Sequence, residues 1–362
     1  DICAEFLTMK KYNFNAGPSA LPNDVFKYSS EAVKELDKTG LSILEISHRS
    51  EKFSEIITKA KHLALEISGL DNNKYEVLFL QGGASHQYLM VASNFLNNLA
   101  GYVNTGTWSE KAIAEAKYYG NVIEVASSKD KNHTYIPNDI EILEDLDYLH
   151  ITSNNTIFGT QFHKFPDTNF PLIADMSSDI FSRKINFSSF DLIYAGAQKN
   201  IGAAGVTMVI LKRELLKKNI RKNPSILNYQ NHVDKQSLYN TPPVFSIYTC
   251  MLNMEWILKS GGIEVIEKKN ISKSKLLYNE IDKNDAFYGF VEKSDRSIMN
   301  VTFGINNNYN SEKFDKMCSN NNIHGIKGHR SVGGYRVSLY NAITIDSVKI
   351  LVEIMQKFNK EG

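Results

Sequence analysis

The sequence predicts an α/β protein with a large domain followed by a smaller α+β domain. Up to about residue 265, short apolar strands alternate with helical patterns, which is typical of a mostly parallel sheet. Beyond that point the pattern of strands and helices changes, and 362 residues suffice for two cores. We therefore predict an N-terminal extension and arm over 1–22, a large domain over 23–265 and a small domain over 266–362.

In the large domain, helices are predicted from amphipathic spacing and strands from short apolar runs bounded by turn residues. The turn-rich segment 12–20 is predicted to be an arm on the surface or across a partner, and the polar segment 221–243 to be irregular. Helices are expected near 23–38, 52–68, 81–99, 108–119, 212–219 and 247–258. Strands are expected near 76–80, 101–104, 121–126, 147–152, 171–175, 190–194 and 205–211.

The small domain is predicted from a second set of elements. Its helices are expected near 263–281, 311–321 and 344–358, and its strands near 286–292, 297–304 and 335–340. Neither an internal repeat nor a low-complexity tract interrupts the chain.

Composition excludes several classes of protein. The 41 basic and 40 acidic residues give a net charge of +1, so no field attracts nucleic acid or an anionic membrane. No apolar run approaches the roughly 18 residues of a membrane span, and the start lacks a secretory layout. Three widely separated cysteines offer neither a zinc site nor a disulfide frame, which predicts a reducing, cytoplasmic location. Met9 resembles a natural initiator, so residues 1–8 are expected to be an extension.

Lys199 stands in a segment of small residues, Asp191 to Gly205, which reads as a buried strand followed by a tight turn. Small residues allow another molecule to approach the backbone closely. Desolvation at the end of an apolar strand lowers the pKa of a lysine, which is what a Schiff-base lysine needs. The alternative is a loop lysine that extends to water.

Asp175 ends the apolar strand PLIAD, and Lys199 follows its own strand farther along the chain. In an open α/β sheet, ligands gather at the carboxyl ends of the strands. A carboxylate and a lysine at neighbouring strand ends form the arrangement of a pyridoxal phosphate enzyme, in which the acid supports the ring nitrogen and the lysine carries the imine. The alternative for Asp175 is a helix cap.

Three further positions suit the same cofactor. The turn Gly82-Gly83 before a helix offers free N–H groups to a phosphate, although a tight turn between strand and helix explains it equally. Trp108 follows a strand and could stack on an aromatic ring, or be a core anchor. Thr156 follows another strand and could donate to a phenolic oxygen, or serve the turn.

Basic residues cluster in two glycine- or serine-containing segments. SHRS contains His48 and Arg49, and GHRSVGGYR contains His329, Arg330 and Arg336. Arginine binds carboxylate or phosphate through its planar fork, and histidine adds a donor. These segments therefore predict anion-binding sites, with ordinary surface charge as the alternative.

Taken together, these segments resemble the phosphoserine aminotransferases, within the fold-type I, class V pyridoxal phosphate enzymes. The resemblance covers nearly all of the chain after Met9. It rests on FNAGPSALP, ISHRS, GGAS, GTWSEKA, NNTIFGT, ADMSSDIFSR, YAGAQKNIGAAG, NTPPVFSIY and GHRSVGGYR.

The resemblance implies a role for each matching position. Lys199 would bind the cofactor covalently and shuttle a proton, and Asp175 would pair with the ring nitrogen. Trp108 would stack on the ring and Thr156 contact its oxygen. The cofactor phosphate would be held by Gly83, Ala84 and Gln198, with Asn240 and Thr241 from the other subunit of a homodimer. Some family members carry an arginine where Ala84 stands, which leaves the phosphate ligands open.

For the substrates, the resemblance implies that Arg336 binds the carboxylate beside the reacting carbon. The distal phosphate or carboxylate would be surrounded by His48, Arg49, His329 and Arg330. The implied reaction transfers an amino group between L-glutamate and 3-phosphohydroxypyruvate, with 4-phospho-hydroxythreonine as a further candidate substrate. The alternatives are another class V enzyme, such as a serine or alanine-glyoxylate aminotransferase or a cysteine desulfurase using Cys318, and a binding protein that reuses the fold.

Overall fold

The computed structural model describes residues 11–361 except 139, 141 and 143. The predicted extension over 1–8 lies outside these residues. In chain order the elements are β1 (Tyr12–Asn13), α1 (Asn23–Lys34), α2 (Glu51–Ser68), β2 (Tyr75–Leu80), α3 (Gly83–Phe95), β3 (Leu99–Asn104), α4 (Thr107–Ala116), β4 (Asn121–Ser127), β5 (Tyr148–Thr152), β6 (Leu172–Asp175), β7 (Leu192–Gly196), β8 (Thr207–Lys212), α5 (Tyr229–Asp234), α6 (Val244–Lys259), α7 (Gly262–Lys283), β9 (Phe287–Gly289), β10 (Asn300–Ile305), α8 (Ser311–Asn320), β11 (Ile323–His324), β12 (Tyr335–Ser338) and α9 (Ile345–Glu361).

The central sheet has the strand order β2-β8-β7-β6-β5-β3-β4. The strands β7, β6, β5, β3 and β4 are parallel, and β8 is antiparallel to both of its neighbours. This confirms the predicted α/β class with a mixed, mostly parallel sheet. Because β2 runs in the same direction as β7, the carboxyl ends of six strands share one edge of the sheet.

Both faces of the sheet are buried, which explains why its strands read as continuous apolar runs. On one face Ile193 of β7 belongs to a core with Phe53 of α2 and Ile247 of α6. On the other face Tyr194 belongs to a core with Val91 of α3. Successive residues of one strand therefore serve two helical layers.

The small domain is built on the antiparallel sheet β12-β10-β9. The helices α7, α8 and α9 supply the other half of its core, in which Phe287, Phe303, Phe314 and Phe358 pack together. The predicted division near residue 265 falls in the first turn of α7, and we keep it as a proposal. No helix of the described part of the chain is both long and apolar enough to cross a bilayer.

The N-terminal arm packs in part against its own chain. The strand β1 pairs in parallel with β11, and Phe14 is fully buried in the core of the small domain. The chain then passes close to Lys199, as the hydrogen bond from Ser19 N to Gln198 O at 2.9 Å shows. The arm therefore lies between the small antiparallel sheet and the Lys199 turn of its own chain, with Gly17 and Pro18 exposed, and a course across a partner stays a prediction.

The structure corrects three predicted segments. The helix expected over 81–99 ends at Phe95, because Asp147 Oδ2 accepts the N–H groups of the next turn, at Asn97, Asn98 and Leu99. Residues 212–219 form a 3-10 helix, Arg213–Lys218, and not a longer α-helix. The irregular segment 221–243 contains the short helix α5.

Candidate active site

A cavity of about 360 Å³ opens at the carboxyl ends of the central strands. Most of the residues predicted to bind the cofactor line it, together with two of the predicted anion-binding residues. The lining residues are Ala16, Gly17, Gly83, Ala84, Ser85, Tyr88, Trp108, Thr152, Asn154, Thr156, Ile157, Asp175, Ser177, Ser178, Gln198, Lys199, His329 and Arg336. The sheet topology thus brings together segments that are far apart in the sequence.

Lys199 reaches into this cavity from the turn after β7. Its Nζ donates to Thr156 Oγ1 at 2.9 Å and lies 5.8 Å from the centroid of the Trp108 ring. Burial lowers the pKa of Lys199 to about 8; the nearby Asp175 opposes this shift and the Arg336 guanidinium adds to it. A substantial fraction of the amine is therefore neutral near pH 8, as a nucleophile requires.

Asp175 ends β6 on the floor of the cavity and is 4% exposed. Its Oδ1 accepts the Ser177 N–H at 2.9 Å, and its Oδ2 accepts the Tyr88 hydroxyl at 3.3 Å. Burial raises the pKa of Asp175, whereas the hydrogen bonds from Ser177 and Tyr88 and the charge of Lys199 oppose the rise. A buried carboxylate held in this way suits a cationic partner in the cavity.

The glycine pair between β2 and α3 forms another wall of the cavity. Gly82 and Gly83 have φ of +93° and +69°, and a Cβ on Gly83 would meet no atom within 4 Å. The N-terminus of α3 therefore faces open space, and its free N–H groups can receive an anion. Ala84 lines this wall, so its side chain supplies no cation there.

Arg336 projects from β12 of the small domain to the same cavity. Its Nη1 donates to Thr156 O at 3.2 Å, while its buried Nε has no hydrogen-bond partner among the described residues. Burial lowers the pKa of the guanidinium from its usual value. The guanidinium lines the cavity, where its planar fork can bind a carboxylate.

Several predicted site residues do not line this cavity. His48 and Thr241 both line a separate surface depression of about 410 Å³. Asn240 Nδ2 donates to Gln81 Oε1 at 2.7 Å, and Gln81 Nε2 donates to Thr241 O at 3.1 Å. The remaining two, Arg49 and Arg330, are exposed.

The prediction missed other residues that shape the site. Tyr88 has the helical spacing of a core residue, and spacing does not disclose that its hydroxyl contacts Asp175. Gly17 packs against Lys199, where a Cβ would lie 3.4 Å from Lys199 Cγ and φ is +141°. No local pattern connects residue 17 with residue 199. The glycine in the arm was the signal available, because only glycine readily adopts this conformation.

The residues present fit pyridoxal phosphate. Anion-binding N–H groups at Gly83 lie at one wall of the cavity, and a buried carboxylate, Asp175, lies at its floor. A lysine of lowered pKa and an aromatic ring, Trp108, stand in the same cavity. This donor set matches a cofactor with a phosphate, an aldehyde and a basic ring nitrogen.

The sequence pattern of the family described as Aminotransferase class-V matches residues 11–351, and the chain belongs to this family. Among its relatives, the phosphoserine aminotransferase of Flavobacterium johnsoniae is 54% identical over 350 residues, which are 96% of this chain and 98% of the relative.

Solved structures agree with this relationship. A phosphoserine aminotransferase studied for radiation damage of its Schiff base has a TM-score of 0.94 and 44% identity, covering 98% of this chain and 100% of its own. The phosphoserine aminotransferase of Trichomonas vaginalis, solved with pyridoxal phosphate bound, has a TM-score of 0.91 and 33% identity, covering 96% of this chain and 100% of its own.

Proposed function

We propose that this chain is a phosphoserine aminotransferase. It transfers an amino group reversibly between L-glutamate and 3-phosphohydroxypyruvate, giving O-phospho-L-serine and 2-oxoglutarate in L-serine biosynthesis. The observation that carries the proposal is one cavity that joins Lys199, Asp175 and Arg336, in a chain 54% identical to a relative of that name. Activity on 4-phospho-hydroxythreonine, for pyridoxine biosynthesis, remains a prediction.

Pyridoxal phosphate is the proposed cofactor. Lys199 would bind it covalently and Asp175 would pair with its ring nitrogen. Its other proposed contacts are Gly83, Ala84, Gln198, Trp108 and Thr156. When bound, the cofactor supplies an electron sink that stabilises negative charge at the substrate Cα.

The chain's own residues bind substrate and move the proton. Lys199 Nζ, with its pKa of about 8, can accept and return a proton near neutral pH. Thr156 orients this amine through a hydrogen bond of 2.9 Å. Arg336, which lines the cavity, binds the carboxylate beside the reacting carbon. Asp175 is buried at the floor of the cavity, so water is excluded from its carboxylate.

The distal anion of each substrate is proposed to meet His329, Arg330, His48 and Arg49. Only His329 of these lines the cavity of its own chain. His48 shares its surface depression with Thr241. A homodimer that brings Asn240 and Thr241 to the neighbouring subunit's cofactor would therefore bring His48 and Arg49 to the same site. A cytoplasmic location stays a prediction.

The decisive assay is transamination of 3-phosphohydroxypyruvate with glutamate, measured beside serine, alanine and glyoxylate as rival substrates. We expect the phosphorylated pair to give much the largest kcat/KM. Purified protein that stays colourless after addition of pyridoxal phosphate would support the binding-protein alternative instead. A preference for alanine and glyoxylate would reassign the chain within its family.

A cysteine desulfurase needs an accessible thiolate near the cofactor. Cys318 is 3% exposed, does not line the Lys199 cavity, and burial raises the pKa of its thiol to about 12. We expect no sulfide release from cysteine. Sulfide release that disappears in Cys318→Ala would overturn the proposal.

The shared site can be tested by subunit mixing. Lys199→Ala and the double variant Asn240→Ala/Thr241→Ala should each be inactive alone. A mixed dimer would contain one site with every part, so activity should return after subunit exchange. No recovery, once exchange is verified, would place Asn240 and Thr241 outside the neighbouring site, in keeping with their bonds to Gln81 of their own chain.

A further inference from the structure

A second cavity lies where the two domains meet, away from the active site. It has a volume of about 580 Å³ and is walled by α6 of the large domain, α7 of the small domain and the segment 341–345. Its lining residues are Trp256, Val265, Lys268, Lys269, Ser272, Lys273, Asn341, Ala342, Ile343, Thr344 and Ile345. We call it the junction groove.

The charged residues of the junction groove all have one sign. Lys268, Lys269 and Lys273 line it, and no acidic residue of the described part of the chain does. None of the three makes an ion pair with a residue in the described ranges, and the nearby Glu264 pairs with Lys184 at 2.5 Å. Lysines gathered in one concave surface attract an anion.

Lys273 distinguishes the junction groove from a patch of surface charge. It is 1% exposed, and its Nζ donates to Leu339 O at 2.9 Å and Tyr340 O at 2.8 Å. The protonated amine has three N–H donors, so two carbonyl partners leave one donor for a ligand. Burial lowers the pKa of Lys273 to about 7, and a bound anion would favour this protonated form. The rest of the lining is largely apolar, with Trp256 and Ile343 offering flat or branched surfaces.

The junction groove is also connected to the active site. Asn341 in its wall donates from its backbone N–H to Asn200 Oδ1 at 3.1 Å, and Asn200 follows Lys199 in the chain. From α6, Asn253 Nδ2 donates to Asn200 O at 2.7 Å. A ligand that changes how α6 and segment 341–345 sit together would therefore act on the backbone that carries Lys199.

We propose that the junction groove is a regulatory site for a small organic anion with a flat apolar body, and that its occupancy alters the reaction at Lys199. The anionic group is received by the three lysines and the apolar body packs on Trp256. A purely structural role for Lys273, as a clamp on two carbonyls, predicts no such binding.

The probe is 8-anilino-1-naphthalenesulfonate, a flat apolar anion, added to the cofactor-loaded enzyme. The sequence has two tryptophans, Trp108 in the active site and Trp256 in the groove. Excitation of tryptophan should give saturable probe emission that falls sharply in Trp256→Phe, whereas directly excited probe emission persists. Sensitised emission that is undiminished in Trp256→Phe would place the probe elsewhere and overturn the proposal.

The charge requirement is tested with Lys268→Ala/Lys269→Ala, whose side chains are exposed and lie outside the catalytic machinery. The probe's Kd should rise about fivefold, the sum of two modest ion pairs. The control Lys275→Ala/Lys283→Ala makes the same charge change elsewhere on α7 and should leave Kd unchanged. Equal Kd values in the two double variants would refute the assignment.

Regulation is read from the transamination rate with and without saturating probe. The rate should change about twofold or more in the unmodified enzyme and in the control double variant. With probe at about the parent Kd, Lys268→Ala/Lys269→Ala should respond less than the parent. Binding without any change in rate would show that the groove is not regulatory.

Discussion

Lys199 of the large domain and Lys273 of the small domain are both withdrawn from water, and burial lowers the pKa of both, to about 8 and about 7. Lys199 shares its cavity with Asp175 and donates to a side-chain hydroxyl of Thr156. Lys273 donates to two backbone carbonyls, and the other charges around it are lysines. The lysine with the lower pKa is thus the one whose cavity is lined by no carboxylate of the described residues.

The comparison of the two lysines shows that a lowered pKa does not by itself identify a catalytic lysine. The Lys199 cavity contains charges of opposite sign. Such a cavity suits a ligand that has a cationic group at one end and a group that reacts with an amine at the other. Charges of one sign suit an anion, whose binding needs no chemistry.

The largest effect on activity is expected when Lys199, and not Lys273, is replaced. Lys199→Ala should lower kcat by roughly 10²–10⁴-fold or more and remove the borohydride-reducible bond to the cofactor. The fold should persist, because the turn around Lys199 is already built of alanine and glycine. Steady-state kinetics and thermal unfolding check this, with Lys273→Met as the matched variant that should keep the reducible bond. Transamination by Lys199→Ala at the parent rate would refute the assignment.

Arg336 supplies the second cation at the cavity of Lys199. Arg336→Leu should lower kcat/KM for both half-reactions by about tenfold to several hundredfold, since a charge-assisted hydrogen bond is lost. The cofactor absorbance should remain, because no proposed cofactor contact is removed.

Arg330→Leu provides the contrast, because Arg330 is proposed to meet the distal anion. It should impair the phosphorylated substrate more than glutamate, which carries a less charged distal group. Equal losses on both substrates, or an unaffected Arg336→Leu enzyme, would show that these roles are assigned to the wrong residues.

A smaller effect should follow from the partner of Asp175. Tyr88→Phe removes the hydroxyl that stabilises the ionised carboxylate, so the pKa of Asp175 should rise further. We expect kcat/KM to fall roughly tenfold and the pH titration of the cofactor's visible band to shift. The control is Tyr194→Phe, because the Tyr194 hydroxyl bonds His150 Nε2 at 2.7 Å instead. An identical titration in Tyr88→Phe and the parent enzyme would contradict this.

The smallest effect on activity is expected at Lys273, where the change appears in stability. Folded Lys273 loses its proton near pH 7, whereas the unfolded chain keeps it until near pH 10.5. Between these values the unfolded state binds more protons, so the contribution of Lys273 to stability rises with pH, by up to about 1.4 kcal/mol per pH unit. Lys269, whose charge adds to the shift, faces it from the same helix.

Lys273→Met should remove this rise. Denaturant unfolding of both proteins from pH 7 to 10 should show the parent gaining stability relative to the variant. Lys275→Met, an exposed change on the same helix, should run parallel to the parent. A pH-independent difference for Lys273→Met would mean that Lys273 stays charged in the fold.

The sequence allowed Lys199 and Asp175 to be placed at one site, because the carboxyl ends of parallel strands must share an edge. The same rule brought Thr156 and Trp108 to that edge. The hydroxyl of Tyr88 and the clamp on Lys273 could not be predicted, since both depend on side-chain directions between elements far apart in the chain. The sequence also predicted too long a helix for α3. The residue that fixes the backbone after its end, Asp147, lies some fifty positions away in the chain.

The course of the arm has a consequence for synthesis on the ribosome. Phe14 N donates to His324 O, Ser338 N donates to Phe14 O, and the Tyr340 hydroxyl donates to Ala16 O, 324 positions away. The arm is translated before nearly everything it binds. A nascent chain that has just completed the large domain therefore carries its reactive lysine in a site that lacks one wall. Translation must pass residue 340 before that wall can close, so the amine is sheltered only in the finished polypeptide.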